Sequence, residues 1–228
     1  MLGSFYIVGT PIGNIEDITY RAIKILAEVD LILCEDTRHT KRLLDYYEIK
    51  NKTLSYNDYN EAKRINQIIT YLKDGMNLAL VSDAGMPSIS DPGYRISNYI
   101  RDNEKDINIF TIPGASSVTA GLSVSGLPSD KFYFCGFLPK KKGRNKMFNI
   151  ISEIDCSIII FESPKRIYKT LNNIYDYLGN RFITICKEMT KIHESYYFGF
   201  IKDIIDVPDK SFEKGEIVII ISKNNYKP

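Results

Sequence analysis

Short apolar runs alternate with segments of helical period through the first half of this chain, and no other feature limits its fold as much. "FYIV" reads as a strand, and "TYRAIKILAEVD" follows with Ala22, Ile25, Leu26 and Val29 at i, i+3, i+4 and i+7. "LILCED" is a second strand, and "TRHTKRLLDYYE" begins a helix with a threonine available near its start as a cap. "KTLSYN" is a short strand. "NEAKRINQIITYLKDG" places Ile65, Ile68, Ile69 and Leu72 on one face, and Gly75 closes it. "NLALVSD" and "INIFTIPG" complete the series. Continuous apolar strands separated by amphipathic helices predict a mostly parallel sheet covered on both faces.

The second half has a different rhythm. "ASSVTAGLSVSGLP" is rich in small residues and suits a linking helix. "FYFCGFLP" and "SIIIFESP" are strands, and "MFNIISEI" and "RIYKTLNNIYDYLG" have helical period. "RFITICKEMT", "ESYYFGFI" and "GEIVIIIS" then follow with little helix between them, which predicts a mixed or antiparallel sheet. The expected architecture is two α/β domains, residues 1–115 and 116–228. At 228 residues the chain is long enough for both.

The totals exclude some classes. A net charge of +2 permits a nucleic-acid partner without requiring one. None of the four cysteines has C-x-x-C spacing, so neither a disulfide framework nor a zinc site is expected. No apolar run approaches the roughly 20 residues of a membrane span, and no export signal is visible. The expectation is a cytoplasmic protein without a metal.

Ligands of open α/β sheets bind at the carboxyl ends of the strands. Four unusual loops fall there: "GTPIGN", "CEDTRHT", "VSDAGMPSISDPGY" and "PGASS". The first is neither a dinucleotide fingerprint nor a phosphate loop, and Pro11 offers no N–H to an anion. It reads as a loop built for close approach of a ligand to backbone. In "EDTRHT", a carboxylate beside His39 and Arg38 suits proton removal from a hydroxyl. Equally, acids there complement a helix dipole. In "PKKKGRNK", Lys140, Lys141, Lys142, Arg144 and Lys146 suit a phosphate backbone, although most lysine runs are solvated loops.

Taken together, "YIVGTPIGNIEDITYRA", "CEDTRHT", "LVSDAGMPSISDPGY", "GLPSDKFYFCGFLP" and "KGEIVIII" closely resemble the ribosomal RNA small-subunit methyltransferase I family, in family order over roughly residues 5–222. The resemblance implies a tetrapyrrole-methylase fold using S-adenosylmethionine, held in a cleft between the domains. It implies 2′-O-methylation of a cytidine in 16S rRNA near the decoding centre, with free rRNA or the small ribosomal subunit as partner, and a homodimer. The matching cofactor positions are Thr10, Pro11, Asp83, Gly85, Met86, Pro87, Ala115, Ser116 and Ser117, with Phe161 and Lys187 from the second domain. The expected proton acceptor is Glu35 or Asp36, oriented by His39 or Arg38. Arg38, Lys140, Lys141, Lys142 and Arg144 are the expected RNA contacts.

The chain departs from the family pattern in places. Ala115 stands where a second proline is common, Met86 where threonine is usual, and Cys34 where alanine is usual. Family members often continue into a helical tail beyond the last strand, which would bear on RNA affinity more than on cofactor binding. Two other readings stay open from the residues alone. A non-catalytic RNA-binding module would not hold S-adenosylmethionine. A nicotinamide oxidoreductase would need G-x-G-x-x-G after the first strand, and that pattern is missing.

Overall fold

Strand β1 (Phe5–Val8) lies inside a five-stranded sheet, between β4 (Leu78–Val81) and β5 (Ile109–Ile112). With β2 (Leu31–Cys34) and β3 (Thr53–Ser55) the order is β3-β2-β4-β1-β5, and every pairing is parallel. This computed structural model describes all residues, Met1–Pro228, as two units, Met1–Ser116 and Ser117–Pro228. In the first unit, helices α1 (Tyr20–Glu28), α2 (Thr37–Tyr46), α3 (Glu61–Lys73) and α4 (Tyr94–Asn103) cross over between strands. Alternate strand residues separate two cores. Phe5, Leu33, Leu78 and Leu80 pack with Ile68 and Leu72 of α3 and Ile96 and Ile100 of α4. Val8, Ile32, Cys34, Ala79 and Val81 pack with Ala22 and Leu26 of α1 and Leu44 of α2. Both faces are therefore apolar, which is why β2 and β4 read as unbroken hydrophobic runs.

The second unit begins with α5 (Ser117–Val124). Its sheet has the order β6-β7-β10-β8-β9, formed by β6 (Phe132–Phe137), β7 (Ser157–Glu162), β8 (Phe182–Lys187), β9 (Ser195–Phe200) and β10 (Ile217–Ile221). Only the β6–β7 pair is parallel; the rest are antiparallel. The central strand β10 is buried along its whole length, which accounts for "IVIII". Ile158, Ile160, Ile183, Ile185, Ile217 and Ile219 pack against α6 (Arg144–Ser152), α7 (Ile167–Leu178) and α8 (Ile201–Asp206) through Phe148, Ile151, Leu171, Ile174, Ile201 and Ile204.

Several local expectations change. Helices α4 and α8 were not marked by the sequence reading. Helix α6 starts at Arg144, so the last three residues of the basic run are helical, and Phe148 faces the core while Ile150 is exposed. The cap of α2 is Asp36, whose carboxylate accepts from the Arg38 N–H, rather than a threonine. No helix is long and apolar enough to cross a membrane.

Candidate active site

The loops after β1, β4 and β5 are tied to one another by backbone. Thr10 N–H donates to Gly85 O at 2.9 Å, and Gly85 N–H returns a bond to Thr10 O at 3.2 Å. The Thr10 hydroxyl, only 3% exposed, donates to the carbonyl of Ser82 at 3.1 Å. Its side chain is thus committed to the β4 loop. A Cβ on Gly9 would lie 2.7 Å from Gly114 Cα and 2.6 Å from Met86 Sδ. The close approach expected of a ligand at this glycine is instead made by the β5 loop. Gly9 allows the two loops to meet.

The segment from Gly85 to Gly93 is wound tightly. Gly85, Ser88, Ser90 and Gly93 all have positive φ, at 82°, 70°, 68° and 136°. Such conformations cost energy in serine and persist where the surroundings enforce them. Glu61, 3% exposed at the start of α3, is one such constraint. Its carboxylate accepts from Gly93 N–H at 3.2 Å and from Tyr56 Oη at 2.9 Å, and pairs with Arg95 at 3.3 Å. Glu61 is a residue the sequence reading missed; on an amphipathic helix its position signalled only a helix start.

Four carboxylates gather at this strand edge with distinct roles. Asp36 N–H donates to Asp83 Oδ1 at 3.2 Å, joining the β2 and β4 loops. The Asp36 carboxylate is gripped by Arg38, through Nε at 3.1 Å and Nη2 at 2.6 Å, and this holds its pKa far below the usual carboxylate range. Glu35 behaves oppositely. Burial raises its pKa, and the negative charges of Asp83, Asp91 and Asp58 raise it further. Asp91 is pushed up to about 6, again first by burial, with a hydrogen bond from Ser82 partly opposing the shift. Glu35 is therefore the better proton acceptor and Asp36 a poor one. His39 is exposed on the first turn of α2.

In the second unit, Phe161 and Lys187 occupy neighbouring register rows. Phe161 is level with Val218 and Cys186, and Lys187 with Ile217 and Glu162. Side chains in adjacent rows emerge from opposite faces, so the sheet does not bring these two together. Lys140, Lys141 and Lys142 are exposed as expected. Arg144 is not: it is 5% exposed, and donates to Asn173 Oδ1, Pro139 O and Thr170 Oγ1 at 3.0, 3.2 and 2.8 Å. Its guanidinium is committed inside the unit, because α6 begins at that residue and turns it inward.

The loops after β1, β4 and β5 carry no lysine or arginine, while Glu35, Asp83 and Asp91 lie at the same edge. That electrostatic character suits a cationic ligand and disfavours a polyphosphate. The profile of the tetrapyrrole (corrin/porphyrin) methylases matches residues 4–205. A protein of Thermotoga maritima named ribosomal RNA small subunit methyltransferase I is 46% identical over 222 residues, covering 97% of this chain and 99% of the relative. The chain belongs to this methyltransferase family.

A second methyltransferase of the same name, from Hydrogenobaculum, is 45% identical and covers 96% of both chains. One from Halalkalibacterium halodurans is 41% identical, covering 99% of this chain and 78% of the relative. Among solved structures, the methyltransferase CobJ superposes with a TM-score of 0.71 at 14% identity, covering 99% of this chain and 96% of that one. Diphthine synthase gives 0.70 at 13%, covering 96% and 90%. These two establish the fold. Membership of the methyltransferase family implies S-adenosylmethionine as methyl donor. Its sulfonium and ammonium cations fit loops after β1, β4 and β5 that carry no basic side chain, beside the carboxylates of Glu35, Asp83 and Asp91.

Proposed function

We propose that this methyltransferase transfers a methyl group to the ribose 2′-hydroxyl of a cytidine in 16S rRNA, near the decoding centre of the small ribosomal subunit. We further propose that it acts in the cytoplasm as a homodimer. The observation that carries this reading is the match to the Thermotoga relative over 97% of the chain.

S-adenosylmethionine supplies the activated methyl group. The residues assigned to hold it are Asp83, Gly85, Met86, Pro87, Ala115, Ser116 and Ser117, with Thr10 and Pro11 shaping the floor of the loop. The protein's task is then to place the hydroxyl in line behind the methyl carbon, an orientation effect worth up to roughly 7–11 kcal/mol. Glu35 accepts the hydroxyl proton. Its raised pKa makes it more basic than an ordinary carboxylate. Asp36 is a positioning residue: it caps α2 and fixes Arg38, which faces solvent and is assigned to a substrate phosphate. His39 lies on the same turn and serves the ribose or its phosphate.

The test is transfer of tritium from labelled S-adenosylmethionine to small subunits lacking the modification, with the label mapped to nucleotide and atom. Label on a cytidine ribose is the expected result. Label on a base would overturn the assignment to ribose, and no binding of the donor would overturn the enzymatic reading.

A further inference from the structure

Strand β6 carries a bulge that the expected reaction leaves unused. Phe134 is level with Ile159 of β7, but the next matched pair is Phe137 with Phe161, so three steps on β6 oppose two on β7. Gly136, at φ 61°, takes up the extra residue. Bulges of this kind re-aim a side chain. Without it, Phe134 and Phe137 would point to opposite faces. With it, both rings stand edge-on to Phe161, at centroid distances of 4.9 and 5.5 Å. Phe134 and Phe161 are half-buried, whereas Phe137 is 61% exposed. The result is an outward-facing aromatic ring braced from behind.

The chain immediately beyond is equally constrained. Arg166 donates to Leu138 O at 3.2 Å and pairs with the buried Glu162 at 2.6 Å. Arg144 donates to Pro139 O and, through Thr170, reaches the same glutamate, Thr170 Oγ1 donating to Glu162 Oε2 at 2.5 Å. The buried Arg144 and the partly buried Arg166 thus hold the two consecutive carbonyls that precede Lys140, Lys141 and Lys142. Two residues separate Phe137 from Lys140, a span of three backbone steps and at most about 11 Å.

We propose that Phe137 is a stacking platform for one unpaired base of the RNA substrate, with Lys140–Lys142 receiving the adjoining phosphates. The proposal rests on the rRNA reading above and names a contact within it. Unstacked bases are held on aromatic faces in single-stranded RNA recognition, and positive charge beside the ring favours a polyanion over an apolar protein partner.

The chain contains no tryptophan, so Phe137→Trp introduces the only indole. Its fluorescence is followed while undermodified small subunits, or an oligoribonucleotide spanning the methylated site, are added. Saturable quenching at the concentration where binding is seen independently by filter retention is expected. Phe137→Leu should weaken RNA binding roughly 5- to 150-fold and leave S-adenosylmethionine affinity unchanged. Unaltered indole emission together with wild-type RNA affinity of Phe137→Leu would overturn the platform while methylation by the wild type keeps the functional reading. Loss of donor affinity in Phe137→Leu would place the ring in the cofactor site, and dissociation of a dimer would make it a subunit contact; either overturns the proposal. A wild type that neither binds nor methylates RNA removes the functional reading, and the platform with it.

Discussion

Asp36 donates its backbone N–H to the carboxylate of Asp83 at 3.2 Å, so one hydrogen bond joins the loop after β2 to the loop after β4. The two aspartates belong to separate sequence motifs. Their contact brings the two loops, to which proton acceptance and donor binding are assigned by proposal, into one fixed arrangement.

The proposed roles set Glu35 and Asp36 apart. Glu35→Gln should lower the single-turnover methylation rate by about 10²- to 10⁴-fold while retaining donor affinity. Asp36→Ala should act through structure, lowering the melting temperature by a few degrees because α2 loses its cap, and lowering the rate less. Rapid-quench measurement on both variants distinguishes them; equal losses would contradict the assignment.

Asp91 makes stability depend on pH. Its folded pKa, about 6, lies above the ordinary aspartate value of 3.8, so the folded state binds a proton more tightly than the unfolded one. The associated stability is fully present below 3.8 and is lost as pH rises to about 6. Urea titrations across this window should show stability declining from this group, and Asp91→Asn should flatten that part of the profile.

Gly9→Ala should destabilise the first unit by about 1–3 kcal/mol, since its methyl would collide with the Gly114 backbone. Donor affinity, read by calorimetry, should fall as well, because the β5 loop carrying Ala115 and Ser116 must move.

Glu162→Ala should cost about 3–5 kcal/mol, because it strands the Arg166 charge that the carboxylate compensates. Chemical denaturation checks this. Glu162→Gln, which keeps an acceptor, should cost less.

Replacing Lys140, Lys141 and Lys142 by serine should weaken RNA binding and reduce the slope of log affinity against log salt by up to about 2. An unchanged slope would exclude these lysines from the phosphate contacts.

The repeating strands and helices were legible because burial of both sheet faces imposes a pattern on every residue. Helix α4 escaped notice because only Ile96 and Ile100 are buried and the turn-rich "DPG" precedes it. The donor-site loops stood out by composition, yet composition could not reveal that the Thr10 hydroxyl faces inward or that Gly9 meets Gly114. Arg144 looked like its lysine neighbours; its inward turn follows from the start of α6, which a basic, glycine-containing run obscures. The outward aim of Phe137 depends on a bulge at Gly136, and no periodicity encodes one extra residue. Glu35 and Asp36 were adjacent equals in sequence, and only Arg38 and the neighbouring carboxylates set them apart.

The position of β10 has a consequence for how the protein is made. All five strands of the first sheet are complete in the chain once Ile112 is synthesised, so that unit can acquire its structure while the second is still being made. The second sheet cannot close then, since its middle strand, between β7 and β8, comes from residues 217–221. Until those residues emerge, β7 and β8 expose isoleucine-rich edges with no partner. A nascent chain stalled before Ile217 would be a natural client for chaperones.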